Sequence, residues 1–126
     1  MWIYTGTLNT GSLISTTTNT PVLRADSSFA RFYSGALGDY SAQNSYKANQ
    51  WQHVALTRSS NNMYLYVDGV YQTSGVVSAG YTLDRIGYNG THDFEGYIDD
   101  VRVTVGVARY TGTGSFTPPT SAFQNY

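Results

Sequence analysis

Apolar and polar residues alternate over short stretches of this chain, and no stretch holds a helical period. The alternation is clearest in residues 51–58 and 63–68. In the first, Val54 and Leu56 share a face opposite Trp51, His53, Ala55 and Thr57; in the second, Met63, Leu65 and Val67 oppose Tyr64, Tyr66 and Asp68. The two predict a hairpin across Ser59-Ser60-Asn61-Asn62. Asp68-Gly69 then turns the chain back into residues 70–73, because glycine takes a positive φ without steric cost. Residues 2–5, 22–25, 28–33 and 81–88 read as further strands, with a short one at Leu13 and Ile14. Residues 94–110 form the longest strand-like run, with Val101, Val103 and Val105 on one face and Phe94 and Ile98 on the other. Such a one-residue change of phase predicts a β-bulge at Asp99 and Asp100 within a long inner strand. Residues 106–109 allow one helical turn, and Phe116 and Phe123 are placed to pin the tail around Pro118-Pro119 to the sheet. Turns recur about every 8–12 residues, the spacing of an all-β sandwich, and no internal repeat divides residues 1–126.

Composition narrows the function classes. At 126 residues the chain makes one domain with a single two-layer core. Charged residues are 12% of the total, the net charge is −1, and the lone lysine, Lys47, is joined by scattered arginines. Nucleic acid is thereby disfavoured, since phosphate binding needs clustered cations. The absence of cysteine excludes disulfides and thiolate metal sites. No apolar run nears the roughly 20 residues that span a bilayer, which argues against membrane insertion, and no signal-like leader precedes Trp2. A strand starting at Trp2 predicts either a chain that continues upstream or pairing with another subunit, including a second copy. Twelve tyrosines, with abundant Gly, Ser, Thr and Asn, favour strands and adaptable recognition loops.

Candidate chemistry falls into two sets. Sugar recognition needs a flat aromatic for the apolar face of a pyranose and amides or carboxylates for its hydroxyls; Tyr40, Tyr46, Tyr88, Asn89, His92 and Asp93 supply those types from loops. The second set is structural. Trp51 and His53 read as packed residues, Asp68 and Gly69 as a turn, and Gly96, Asp99, Asp100 and Arg102 as a cluster at the bend. There carboxylates would accept backbone N–H groups and the guanidinium would pair with one of them. Calcium, an oxygen-seeking ion, is the rival use of Asp99 and Asp93, with Asp39 as a further ligand; no other cofactor is expected.

Three pieces in order, Trp51-Gln52-His53-Val54-Ala55, Leu65-Tyr66-Val67-Asp68-Gly69 and Phe94-Glu95-Gly96-Tyr97-Ile98-Asp99-Asp100-Val101-Arg102, resemble the concanavalin A-like lectin/glucanase superfamily in its laminin-G-like branch. The continuation Val107-Ala108-Arg109-Tyr110 and Phe116-Thr117-Pro118-Pro119-Thr120 resembles domains of bacteriophage tail and structural proteins. The resemblance implies a jelly-roll of two antiparallel sheets that starts later than its relatives and lacks their first strand or strands. It implies a non-enzymatic adhesin on a virion or other extracellular surface, with a glycan or host polysaccharide as partner. The rival is a structural or decoration module that binds other subunits and no glycan. Some members are glycoside hydrolases with glutamates clustered on one strand. This chain has one glutamate, Glu95, and Asp99 on the same face lies about 13 Å along the strand, too far for the required carboxylate pair. His53 and His92 lie in no nucleophile context, so no serine triad is expected either.

Overall fold

The computed structural model describes residues 1–16, 18, 21–29, 31–34, 41–78 and 80–122. Among these residues ten strands form two antiparallel five-stranded sheets: β1 (Trp2–Tyr4), β2 (Gly11–Thr16), β3 (Pro21–Asp26), β4 (Arg31–Tyr33), β5 (Ser41–Ala42), β6 (Gln52–Ser59), β7 (Asn62–Val67), β8 (Val70–Val76), β9 (Leu83–Ile86) and β10 (Tyr97–Asp99). The first sheet runs β10-β1-β6-β7-β8 and the second β5-β4-β3-β2-β9. The architecture is an all-β sandwich, as alternation predicts. One 3₁₀ turn at Ser27–Phe29 shortens the strand expected over residues 28–33.

The core follows the period of two. Ile3, Val54, Leu65 and Val67 of the first sheet face Leu13, Leu23, Ala25 and Phe32 of the second, all buried. Burying each such aliphatic side chain stabilises the fold by roughly 1.5–3 kcal/mol. Both predicted hairpins form. Ser59 pairs with Asn62 around a two-residue turn, and Val67 pairs with Val70 across Asp68 and Gly69. Both central residues of that second turn have positive φ, 51° and 77°, the twist that matches a hairpin.

The segment 94–110 departs from expectation. Only Tyr97–Asp99 is a strand, and it forms the edge of the first sheet beside β1, while β6 holds the middle. The phase change comes from a sharp turn instead of a bulge. Asp100 sits at φ 46°, its N–H capped by Asp99 Oδ1 at 2.7 Å, and the chain leaves the ladder there. Of the expected apolar face, Val101 packs partly buried against the core, whereas Val103 and Val105 are 57% and 91% exposed. Residues 106–109 form no helix, and Phe123 lies outside the described residues.

Candidate functional site

Two ends of the chain meet in the first sheet. β1 lies between β10 and β6, with Trp2 opposite both Asp99 and His53, and Tyr4 opposite Tyr97. Because Ile3, Ile98 and Gln52 point inward, Trp2, Tyr4, Tyr97, Asp99, Trp51 and His53 share the outer face. The rings of Tyr97, Tyr4 and Trp51 form a row across three strands, with centroids 6.1 and 5.7 Å apart. Tyr97 is 66% and Trp51 47% exposed, and Tyr4 and Trp2 are half-buried. An exposed aromatic row is what apolar sugar faces, or a partner's apolar side chains, stack on.

Several buried groups hold this row in place. Gly96 lets the chain pass β1 closely, since a Cβ there would lie 2.3 Å from the Tyr4 carbonyl oxygen, and this sets Tyr97 beside Tyr4. Phe94 anchors the same loop in the core, its backbone against Gly11. At the other end of the row, the fully buried Gln52 accepts the Lys47 N–H at 2.7 Å and donates to the Ser45 carbonyl at 2.7 Å, fixing the strand that presents Trp51. Asp68 Oδ1 accepts the His53 N–H at 2.8 Å and so locks the β7–β8 turn to β6. His53 is buried between the edge of Trp2, 5.3 Å away, and Phe116, 5.8 Å away. Burial, aided by the N-terminal ammonium and opposed by Asp68, pushes its pKa from 6.5 down to about 4, so the imidazole is neutral at pH 7.

The chain after Asp100 returns to cover the rest of this outer face. Phe116 N–H donates to the Gly69 carbonyl at 2.9 Å, Tyr66 Oη–H to the Gly112 carbonyl at 2.8 Å, and Thr57 Oγ1–H to the Tyr110 carbonyl at 2.6 Å. Phe116 and Tyr110 stack in parallel at 3.6 Å over the buried Tyr66.

The loop residues expected to bind a sugar do not gather. Tyr46 is buried in the core with its ring 5.2 Å from Phe32, because loop residues 45–47 are tied inward by Gln52. Asn89 is buried too, its Oδ1 accepting the N–H groups of Thr91 and His92 at 3.1 and 2.8 Å, so its carbonyl is spent on the turn. Tyr88, His92 and Asp93 are exposed, and Tyr88 lies beneath the Arg85 guanidinium at 5.7 Å. Tyr40 and Asp39 lie outside the described residues. Among the described residues no three His, Asp or Glu side chains come together as a metal site. Trp51, expected as a packed residue, instead stands at the surface because it precedes the buried part of β6. Arg102 lies half-buried along a cleft beside β6, next to the exposed valines.

A family model described as the concanavalin A-like lectin/glucanase superfamily, laminin-G type, matches residues 1–108. The chain belongs to this superfamily. The match takes in both sheets and the aromatic row, and stops just short of the Tyr110–Phe116 cover. No curated protein and no solved structure matches. The superfamily holds lectins as well as glucanases, and its laminin-G-like members suggest a carbohydrate-binding or adhesion-type module.

Proposed function

We propose that this concanavalin A-like domain is a carbohydrate-binding adhesion module whose glycan lies across Tyr97, Tyr4 and Trp51. The observation that carries the reading is the solvent-facing row of three rings on neighbouring strands, spaced 6.1 and 5.7 Å. Pyranose rings would stack their C–H faces on it, and Asp99, exposed beside Trp2, would take hydroxyl hydrogen bonds at its rim. Binding is favoured over hydrolysis because stacking on a row of rings needs no carboxylate pair, whereas glycoside cleavage needs two carboxyl groups about 5–9 Å apart. Glycans of this kind are met on cell and host surfaces, and an extracellular or virion-surface setting suits the reading. Screening against neutral, amino and acidic polysaccharides, followed by titration of tryptophan fluorescence, tests it. Stacking of a sugar on Trp51 shifts its emission. Silence across all three classes, or a Trp51→Ala variant that binds as tightly as the parent, overturns it.

A further inference from the structure

The strand register that builds the aromatic row also builds a corner beside it. β10 and β1 pair with Tyr97 opposite Tyr4 and Asp99 opposite Trp2, while Ile98 and Ile3 between them point inward. Four outward side chains therefore stand at the corners of a block about 5 Å across the strands and about 7 Å along them. Three of the four are aromatic, and the fourth is a carboxylate. Tyr97 and Asp99 are exposed and Tyr4 and Trp2 half-buried, so the block is open from above. The Tyr97 and Tyr4 rings meet at 53° instead of in a parallel stack, which leaves ring faces uncovered.

Aromatic faces attract a cation held within about 6 Å of the ring centre. A carboxylate beside the same rings adds charge-assisted hydrogen bonds. A neutral hydroxyl in this corner would use Asp99 alone, whereas an ammonium group would use Asp99 and the rings together. The charge of the whole face points the same way. Of the six outward residues of β10, β1 and the start of β6, Asp99 is the one that carries charge, because burial keeps His53 neutral at pH 7. Asp99 Oδ1 accepts the Asp100 N–H at 2.7 Å, which holds the carboxylate in place by one oxygen.

We infer that the corner formed by Tyr97, Tyr4, Trp2 and Asp99 takes the ammonium group of an amino sugar, so that the ligands of the row are polysaccharides with free, unacetylated amines. The inference rests on the glycan reading above and narrows it. One sugar stacks at the Tyr97 end of the row with its ammonium over the corner, and the polymer continues across Tyr4 to Trp51. A primary ammonium donates N–H hydrogen bonds to Asp99, which a quaternary one cannot do. N-acetylation removes the charge that the rings and the carboxylate attract. Sugars bearing carboxylates or phosphates meet Asp99 as a like charge.

The test uses hexamers of one β-linked backbone that differ at a single substituent: glucosamine, N-acetylglucosamine and glucose. Affinities are measured by calorimetry in mildly acidic buffer, where the sugar amine is charged. The glucosamine hexamer should bind about tenfold or more tighter than the other two. Asp99→Asn keeps an oxygen for the Asp100 N–H and removes the charge, and it should bring the three hexamers within about twofold of one another. Glu95→Gln removes the same charge from an exposed carboxylate about 13 Å along the chain from Asp99, and it should keep the preference. Equal binding of the three hexamers by the parent overturns the inference and leaves the glycan reading standing. An equal loss of preference in both variants also overturns it, because the attraction would then come from net charge and not from the corner. So does a lysine hexapeptide that binds as tightly as the glucosamine hexamer, which would give the corner to a protein partner. If no polysaccharide of any class binds, the glycan reading falls and this inference falls with it.

Discussion

The outer face of one sheet carries two aromatic clusters, and they have opposite fates. Tyr66, Tyr71, Tyr110 and Phe116 form a cluster in which the Tyr66 and Tyr71 hydroxyls are hydrogen-bonded to the Gly112 carbonyl and Ser74, and whose centre, Tyr66, is 0% exposed. Tyr97, Tyr4 and Trp51 use similar residues at similar ring spacing, yet their row stays open to solvent. The path of the chain after Asp100 makes the difference. It leaves the sheet at that turn and passes over β6 to β8, where carbonyls of residues 110 and 112 accept hydrogen bonds from Thr57 and Tyr66. Nothing described in the chain crosses the other half. Equal composition thus gives a covered structural cluster where the backbone returns and a solvent-facing row where it does not.

This contrast breaks most visibly at Gly69. A Cβ there would lie 1.8 Å from the Phe116 carbonyl oxygen, on a backbone at φ 77°. Gly69→Ala should destabilise the domain by about 3 kcal/mol, read as a lowered denaturant midpoint. Phe116→Ala removes the ring stacked on Tyr110 and should cost about 2 kcal/mol, because Phe116 is only half-buried. In the bare half the same truncation should act on binding. Trp51→Ala or Tyr97→Ala should lower stability by less than about 1 kcal/mol. Each should weaken the glycan by about tenfold or more in calorimetry.

Acid sharpens the comparison further, since His53 lies between Trp2 and Phe116 of the covered cluster. Its folded pKa, about 4, is below the unfolded value of 6.5, so folding favours the neutral form. The stability this gives is complete above pH 6.5 and falls as pH drops toward 4, below which the loss levels off. His53→Gln should flatten that part of a stability–pH curve. The smallest effects belong to the loop residues. Tyr88→Ala and His92→Ala should change both stability and glycan affinity by no more than about 0.5 kcal/mol.

Much of the fold was legible in the sequence because local pattern dictates it. The β6–β7–β8 meander follows from alternation and from Asp68-Gly69, whose turn needs only adjacent residues. The aromatic row was not legible, for a physical reason. Tyr4 and Tyr97 are 93 residues apart in the chain, and only strand pairing puts them side by side. The one local hint was Gly96, a glycine ahead of a strand, which marks a close backbone approach. The loop residues misled because Tyr and Asn serve interiors as well as surfaces: Tyr46 fills core volume, and Asn89 spends its carbonyl on its own turn. Val103 and Val105 misled differently. Their alternation with Val101 is real, but after the positive φ at Asp100 only Val101 still packs against the core, and the two that follow lie outside the ladder.

The most direct measurement is a calorimetric titration of the Trp51→Ala/Tyr97→Ala double variant with whichever polysaccharide the parent binds, run beside thermal unfolding of both. If the open half recognises sugar and the covered half only holds the sheet together, the variant loses its heat of binding and melts within a few degrees of the parent. Undiminished binding by a well-folded variant would show that the glycan goes elsewhere and that the bare row is not the recognition surface.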